Sequence, residues 1–202
     1  MLQCKTDIKI VAGDQHNSID LSWAGEGLMK QNSKVIHEKY EFRNIHKDEI
    51  EQAAEIESIC FPPNEACTYE HMESRIKKAS DLFLVVVDRE TGKIAGFLNG
   101  LATDREHLTD DFFTDANLHD PEGVNIMLLG LDVLPEYQHK GLARKLMEQY
   151  KEGERARGRK KLILTCLPDK VEMYKKFGFK DHGIGDSVWG GEAWHEMDIV
   201  LE

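Results

Sequence analysis

The residues that point most clearly to chemistry lie within residues 125–150. An apolar run at 126–133 is followed by Pro135 and then by the segment 138–143, Gln-His-Lys-Gly-Leu-Ala, which opens a helix. This order predicts a strand, a loop and a helix N-terminus. The first N–H groups of a helix have no partner within it, and the macrodipole adds partial positive charge there. The segment is therefore a candidate site for a phosphate or pyrophosphate, with Gly141 letting the anion approach the backbone.

Three phosphate-binding patterns compete for this loop. The dinucleotide fingerprint G-x-G-x-x-G and the Walker loop G-x-x-x-x-G-K-[ST] both fail, because Gly141 is the only glycine in the loop. A third pattern, Q/R-x-x-G-x-G/A, fits Gln138, Gly141 and Ala143. The alternative is an ordinary strand-to-helix turn.

Gly130 interrupts the apolar strand before the loop. Glycine inside a strand costs stability and often marks a bulge or a close backbone approach. A splayed strand would expose N–H groups able to hold a carbonyl oxygen as it gains negative charge, which is worth about 2.7–4 kcal/mol per donor. The competing interpretation is that Gly130 only accommodates packing.

Length and cysteine usage indicate one domain that needs neither disulfides nor a metal. A chain of 202 residues buries most of the surface that its unfolded form exposes. The four cysteines are dispersed, without the pairs of a zinc site, which favours a reducing cytoplasm. The longest apolar run stops at Asp132, far short of a membrane span, and Lys5, Asp7 and Lys9 interrupt any signal-peptide core.

The charge is unevenly distributed. The chain carries a net charge of −11, whereas residues 125–181 hold 13 basic against 8 acidic side chains. A basic helix start at Arg144 and Lys145 suits an anionic cofactor, and the acidic remainder suits a cationic substrate. For the later basic residues a solvated helix face is the favoured interpretation. The acidic balance argues against nucleic acid as a partner.

Hydrophobic periodicity divides the chain into an N-terminal extension at 1–38 and a regular domain at 39–202. The predicted fold class is α/β (mixed α+β), a single domain with one twisted sheet of about six to seven strands and helices on both faces. The first half is predicted to hold a strand at 40–45, a helix from 48 that ends before Pro62, a helix capped by Thr68 and running to 78, and a hairpin of 82–88 and 93–102. A long loop with a helical turn follows at 103–123, and then come the strand and helix around the 138–143 loop. The remaining predicted elements are a strand at 162–166, a helix at 169–177 closed by Gly178, and two terminal strands around 187–189 and 195–201.

From Tyr40 onward this order resembles the GNAT superfamily of acetyl-CoA-dependent N-acetyltransferases, and within it the arylalkylamine (serotonin) N-acetyltransferases and their bacterial relatives. The Q/R-x-x-G-x-G/A loop is that superfamily's pyrophosphate-binding signature. Co-linear residues extend the resemblance: Glu55-Ile56-Glu57 leading to Phe61, Cys166 followed eight residues later by Tyr174-Lys175-Lys176-Phe177-Gly178-Phe179, and Trp194 twenty residues after Tyr174.

The resemblance implies a GNAT-like fold, acetyl-CoA as cofactor and a small-molecule amine as partner. It implies that acetyl-CoA contacts the strand backbone, the loop and the family's tyrosine. It also implies that three side chains contact the amine, and it assigns no metal. The implied cofactor residues are Leu131, Asp132, Val133, Gln138, His139, Lys140, Gly141, Leu142, Ala143, Arg144 and Tyr174, and the implied amine contacts are Phe61, Leu131 and Trp194.

Tyr174 is the candidate general acid. A coenzyme thiol titrates near 8.5 and a tyrosine near 10, so a protonated Tyr174 can donate to the departing thiolate at neutral pH. The alternative is an aromatic core residue beside Phe177 and Phe179.

The family pattern breaks where a proton route is needed. The two strand histidines of the vertebrate serotonin enzymes align with Met127 and Leu129. An alkylamine is neutral in fewer than about one molecule in a thousand at pH 7, so another group must take its proton. Glu65, in the loop that lines the family's amine pocket, is the first candidate to bind the ammonium or relay its proton, against a solvated loop carboxylate.

Weaker candidates for this role are the histidines His71, His182 and His195, for which surface or strand-pairing roles are favoured. Trp194 stands where relatives have phenylalanine, which puts an indole-amine substrate in doubt.

The sequence thus predicts a cytoplasmic N-acetyltransferase that acts on a primary amine by direct attack on the thioester. Cys166 is predicted to be a structural thiol without a histidine partner, not a nucleophile. The alternatives are an acyl-CoA-binding sensor without turnover and a protein N-acetyltransferase. Neither membrane nor nucleic acid is expected as a partner, and a homodimer is compatible with the sequence.

Overall fold

A computed structural model of the protein describes residue 36 and residues 38–202. The predicted extension at 1–38 lies almost entirely outside the described residues, so the boundary at 38–39 stays a prediction.

Seven strands form one sheet in the order β1-β2-β3-β4-β5-β7-β6. Only the β4–β5 pair is parallel, and every other neighbouring pair is antiparallel. The prediction of a mixed sheet of six to seven strands is confirmed. The strands are β1 (Tyr40–Asn44), β2 (Phe83–Asp88), β3 (Ile94–Thr103), β4 (Asn125–Val133), β5 (Lys161–Cys166), β6 (Lys180–Ile184) and β7 (His195–Val200).

The helices also follow the predicted order. Short 3-10 turns at Asp110–Phe113 and Ala116–Leu118 occupy the long segment after β3, where a helical turn is predicted. The α-helices are α1 (Ile50–Cys60), α2 (Tyr69–Ala79), α3 (Leu142–Ala156) and α4 (Val171–Lys176).

Local sequence explains where the first two helices stop and start. Phe61 precedes Pro62 and is extended, with φ −116° and ψ 149°, as expected of a residue before proline. The Thr68 hydroxyl accepts a hydrogen bond from the His71 N–H at 3.3 Å, which caps α2. Together they fix the α1–α2 loop at 61–68.

Helix α3 is held against the sheet by its apolar face. Leu142, Leu146, Met147 and Tyr150 are buried, as the periodicity predicts. The Tyr150 hydroxyl donates to the Leu82 carbonyl at 3.0 Å, which satisfies both polar groups in the core. This anchorage fixes the direction of the α3 N-terminus.

The predicted strand around 187–189 is wrong. The penultimate strand is β6 (Lys180–Ile184), and Trp189–Gly191 form a 3-10 turn. Gly190 and Gly191 have φ of 64° and 83°, left-handed values that break an extended strand. The buried Ser187 hydroxyl donates to Asp110 at 2.5 Å and fixes the loop instead.

Strand β4 departs from regular pairing on both of its sides. Gly130 pairs with Asn99 and Leu128 pairs with Gly100, so Leu129 is an extra, bulged residue. On the other side, β4 pairs with β5 only through residues 125–127 and 161–163, and beyond Met127 the two strands separate. The bulge predicted near Gly130 is present.

Within the described residues, no helix is both long and apolar enough to cross a membrane.

Candidate active site

A cavity of about 170 Å³ lies between the start of α3 and helix α4. The end of β4, the loop before α3 and the first turn of α3 form one wall, and two residues from the α4 region form the other. The lining residues are Val133, Tyr137, Gln138, His139, Gly141, Leu142, Ala143, Arg144, Met173 and Phe177.

The loop conformation aims backbone N–H groups at this cavity. Gly141, the N-cap of α3, has φ 82°, and His139 has φ 61°, so the chain turns through two left-handed residues. The first bond of α3 runs from the Lys145 N–H to the Gly141 carbonyl at 3.0 Å. The N–H groups of residues 142–144 therefore have no acceptor within the helix and are available to an anion.

Side chains brace the loop and add positive charge. The Gln138 amide donates to the Val133 carbonyl at 3.0 Å and ties the loop to β4. Lys140 donates to the Glu136 carbonyl at 2.6 Å, back into its own loop. The Arg144 guanidinium lies 5.4 Å from the Phe177 ring centre, at the cavity wall.

The predicted cofactor residues divide into two groups. Those that the structure brings to the cavity are Val133, Gln138, His139, Gly141, Leu142, Ala143 and Arg144, whereas Leu131, Asp132, Lys140 and Tyr174 are not among its lining residues. Sequence reasoning missed Tyr137, Met173 and Phe177 as lining residues. Met173 and Phe177 flank Tyr174 in sequence, which is the signal that could have found them.

Tyr174 is fully buried in α4. Its ring makes edge contacts with Phe177 and Phe179, with ring centres 6.0 and 5.8 Å apart. Met173 and Phe177 of the same helical region line the cavity, whereas Tyr174 is not among its lining residues.

Glu65 is buried, with 3 % of its surface exposed. Its carbonyl accepts a hydrogen bond from the Trp189 indole N–H at 3.1 Å, and the neighbouring Asn64 amide donates to the Gly190 carbonyl at 2.9 Å. The alternative of a solvated loop carboxylate is therefore wrong. These bonds join the α1–α2 loop to the β6–β7 loop.

Trp189 connects the predicted amine-contacting residues. The buried Trp194 donates its indole N–H to the Trp189 carbonyl at 2.8 Å, so Glu65 and Trp194 are linked through one residue. Phe61 is buried at the start of the same α1–α2 loop. Sequence reasoning missed Trp189, because its role depends on which loops meet.

The long segment after β3 closes over this region. Its Phe113 ring lies 5.1 Å from the Trp189 ring, centre to centre. The Phe113 carbonyl accepts from the Arg75 guanidinium of α2 at 2.8 Å. His107 of the segment lies 2.8 Å from Glu196 of β7, between Nδ1 and Oε1. The segment thus bridges α2 and the β6–β7 region.

A cluster of buried polar side chains lies between α1, α2 and the middle of the sheet. Asp132, Glu57, Asn99 and Arg75 are each at most 3 % exposed. Both Asn99 amide atoms and Glu57 Oε2 have no hydrogen-bond partner among the described residues, and the Asp132 carboxyl is left with the Cys60 thiol, a weak donor. Burial, and then the nearby Glu57, raise the pKa of Asp132 well above its ordinary value, against the opposing effects of Cys60 and Arg75.

The sequence contained two signals for this cluster. Asp132 is the only charged residue in the β4 run, and Glu57 falls four residues after Ala53 on the apolar face of α1. Asp132 was predicted only as a backbone contact, and Glu57 only as part of a motif.

The candidate histidines take surface and strand-pairing positions. His182 lies 2.9 Å from Asp198, and His195 lies 2.8 Å from Asp181, in both cases between β6 and β7. His71 contributes its backbone N–H to the α2 cap.

Cys166 is a structural thiol, as predicted. It is buried, its sulfur lies 3.6 Å from the Met197 sulfur, and burial raises the pKa of the thiol to about 12. A thiol with that pKa is protonated at neutral pH and is a poor nucleophile. In the described part of the chain, no group of three or more His, Cys, Asp or Glu side chains is arranged to hold a metal.

A family comparison matches most of the described chain. The profile of the Acetyltransferase (GNAT) family matches residues 50–179, which extend from α1 to just past α4. No curated protein sequence matches the chain significantly.

Solved structures share the fold. The loading GNATL domain of CurA from Lyngbya majuscula has a TM-score of 0.69 at 17 % identity and covers 80 % of this chain and 98 % of its own. The ribosomal-protein-S18-alanine N-acetyltransferase from Escherichia coli has a TM-score of 0.56 at 18 % identity, covering 81 % and 94 %. A phosphinothricin acetyltransferase from Sinorhizobium meliloti, solved with AcCoA, has a TM-score of 0.58 at 15 % identity, covering 81 % and 89 %. At these identities the likeness shows the fold alone.

The buried carboxyl cluster makes the stability of the fold depend on pH. Because the pKa of Asp132 is raised in the folded state, its ionisation destabilises the fold as pH rises from about 3.9, the unfolded value, through the folded value. We expect Asp132→Asn to unfold at nearly the same temperature as the wild type at pH 4, and at a higher temperature than the wild type at pH 8. Thermal unfolding across this range measures the difference, and an equal offset at both pH values would contradict it. Asp88→Asn, at a buried aspartate whose carboxylate accepts a hydrogen bond from the Glu90 N–H at 2.9 Å, is the matched control.

Proposed function

Because the chain belongs to the acetyltransferase (GNAT) family, we propose that it transfers the acetyl group of acetyl-CoA to a small primary amine by direct attack of the neutral amine on the thioester. The observation that carries this proposal is the joint position of two features at one end of β4. The anion-binding start of α3 and the gap between β4 and β5 both adjoin Val133.

The residues of the cavity suit a coenzyme A pyrophosphate. Free N–H groups at the first turn of α3, the α3 dipole and Arg144 all favour an anion there. Gly141 has no side chain to stand between the anion and these N–H groups. The polar loop atoms lie beside the apolar Met173 and Phe177, which suits a cofactor with both a charged and an apolar part.

The separation of β4 from β5 provides a place for the thioester. Beyond Met127 the β5-facing edge of β4 has no strand pairing, so the backbone of Leu131, Asp132 and Val133 is available to the cofactor. The bulge at Leu129 turns the local N–H groups away from a regular ladder. Such N–H groups would stabilise the negative charge that develops on the acetyl oxygen.

Tyr174 is proposed to protonate the leaving thiolate. It is a buried residue of α4, the helix that follows β5, and two residues next to it in that region, Met173 and Phe177, line the cavity. Its burial excludes water, which would otherwise compete to protonate the sulfur.

The amine pocket is proposed to lie between the α1–α2 loop and the β6–β7 loop. Glu65 supplies a buried carboxylate there for an ammonium or its proton, and Phe61 and Trp194 supply apolar surface. Because these side chains are aromatic, the proposed substrate is an amine that carries an aryl group. The packing of Phe113 on Trp189 places the segment after β3 against the β6–β7 loop, which supports a covered pocket for a small amine over an open groove for a protein substrate. The cytoplasmic location and the homodimer stay predictions.

Turnover separates the enzyme from an acyl-CoA sensor. We expect acetyl-CoA-dependent thiol release above hydrolysis background with at least one amine of a broad panel of arylalkylamines, diamines and alkylamines. Release of coenzyme A is followed with a thiol reagent, and the acetylated amine is identified by mass spectrometry. Binding of acetyl-CoA without release for any amine would support the sensor, and acetylation of peptides faster than every small amine would support a protein acetyltransferase.

Removing the Tyr174 hydroxyl tests its role as the acid. We expect Tyr174→Phe to lower kcat by about 10²–10⁴-fold, because a positioned general acid contributes roughly that factor. Acetyl-CoA affinity should change little. Tyr150→Phe is the matched control: it removes another buried hydroxyl, which bonds Leu82, and should cost stability without this loss of kcat. A wild-type maximal rate for Tyr174→Phe across the pH range would remove Tyr174 from this role.

The left-handed Gly141 tests the anion cradle. Gly141 and Gly158 have nearly the same φ, 82° and 80°, but only Gly141 lines the cavity. Alanine strains either position by about 1–2 kcal/mol. We therefore expect both variants to lose similar thermal stability, whereas only Gly141→Ala weakens coenzyme A binding, by about tenfold for the loss of roughly 1.4 kcal/mol of anion contact. Calorimetry measures both affinities, and equal weakening in both variants would contradict the cradle.

A further inference from the structure

The bulge in β4 changes which of its side chains share a face of the sheet. Met127 and Asp132 are five residues apart, so in a regular strand they would point to opposite faces. Here Met127 pairs with Leu101 and Asp132 pairs with Phe97, and these partners are four residues apart on β3. The extra residue at Leu129 therefore puts Asp132 on the same face as Met127.

That face is the one covered by α1 and α2. Gly100 lies one residue from Leu101 on β3, so its Cβ position is on the other face of the sheet. A Cβ built there would lie 3.2 Å from the Tyr150 hydroxyl of α3, so α3 covers that other face. Asp132 interacts electrostatically with Glu57 of α1 and Arg75 of α2. The amine pocket proposed above is built from the loop that joins these two helices.

Two polar side chains converge on the bulge from this face. A Cβ at Gly130 would lie 2.8 Å from Asn99 Nδ2 and 3.1 Å from Asp132 Oδ2. Both side chains are at most 1 % exposed; the Asn99 amide has no hydrogen-bond partner among the described residues, and Asp132 is left with the Cys60 thiol, a weak donor. Leaving buried polar atoms unpaired costs free energy, which is the pattern expected where a protein retains groups for a ligand.

We propose that Asp132 accepts the proton that the amine loses on attack, in place of the histidines absent at Met127 and Leu129. This inference rests on the proposed acetyl transfer. The carboxylate takes a proton from the ammonium, and the freed nitrogen lone pair forms the N–C bond to the acetyl carbon. The C–S bond then breaks, and the thiolate takes the proton of Tyr174. The amide nitrogen passes its remaining extra proton to the Tyr174 phenolate, and Asp132 releases its proton to solvent, so one proton leaves for each acetyl group transferred.

The neighbours of Asp132 adjust its basicity. Glu57 and Cys60 face it from α1, Arg75 faces it from α2, and Cys67 of the α1–α2 loop adjoins the same cluster. Burial and Glu57 raise the pKa of Asp132, which brings a carboxyl towards the pH at which a general base works best.

Glu57 also joins the cluster to the surface. Its Oε1 accepts a hydrogen bond from the Cys67 N–H at 3.1 Å, and Cys67 is partly exposed. Glu57 is assigned as a positioning residue that acts through Asp132 and lies between it and the solvent-accessible loop.

The pH profile of kcat/KM tests the assignment, measured by thiol release with the best amine of the panel. For the wild type, kcat/KM should rise with pH, reach half of its maximum at the pKa of Asp132 and level off above it. In Asp132→Asn this rise should be absent, and kcat/KM at pH 7 should be about 10²–10⁴-fold lower than in the wild type. Its kcat/KM should then increase about tenfold per pH unit up to the pKa of the amine, because the neutral amine becomes more abundant. Glu57→Gln keeps the bond to Cys67 but removes a charge that raises the pKa of Asp132. The rise of kcat/KM with pH should therefore occur at lower pH in this variant.

A weakly basic substrate separates proton removal from structural damage. The β,β-difluorinated analogue of the same amine is nearly the same size but far less basic, so a large fraction is neutral at pH 7 and no proton has to leave before attack. Asp132→Asn should process this analogue within a few-fold of the wild type. Asp88→Asn, at a buried aspartate on β2, serves as the control and should keep the wild-type pH profile with both substrates.

The outcomes distinguish the two proposals. A wild-type pH profile for Asp132→Asn, or an equal loss with both amines, would overturn the role of Asp132 and leave acetyl transfer standing. Absence of thiol release by the wild type with every amine would overturn both.

Discussion

The irregular pairing of β4 is the constraint on which the rest of the site depends. A strand in the middle of a sheet normally satisfies its backbone through both neighbours. Here β4 keeps β3 along its length but admits a bulge at Leu129, and it keeps β5 only through residues 125–127. Backbone groups in the interior of the protein thus become available to a bound molecule. The energetic cost is borne by a core in which the β4 side chains are almost completely buried.

The loops are arranged around this strand by tryptophan hydrogen bonds. Trp189 joins Glu65, Phe113 and Trp194 through its indole N–H, its ring and its carbonyl respectively. Three chain segments far apart in sequence therefore meet at one residue, and the carboxylate of Glu65 is taken out of water. A large amphipathic side chain suits this role because it buries apolar area while keeping a polar atom for bonding.

The charged side chains differ between the two sides of β4. The α3 end presents Arg144 and free N–H groups, whereas the opposite side of β4 presents Asp132 and Glu57 with Arg75 as the cation in their cluster. An anionic cofactor on one side and a cationic amine on the other would each find a complementary field. Because burial raises the pKa of Asp132, its ionisation lowers the stability of the fold, which is the kind of cost that functional sites carry.

Sequence alone determined the order of the elements, the strand, loop and helix start around 138–143 and the structural role of Cys166, because these depend on local patterns. Pro62, Thr68 and Gly141 act within one turn of themselves, and the spacing from Gln138 to Ala143 is a contiguous motif. The predicted strand at 187–189 failed because Gly190 and Gly191 adopt left-handed conformations and Ser187 bonds Asp110, a contact 77 residues away. Only the tertiary structure decided that Glu65 is buried, that Trp189 joins the loops, and that Asp132 faces the side of the sheet covered by α1 and α2. The last of these follows from one bulged residue, since a single insertion reverses the alternation of every side chain beyond it.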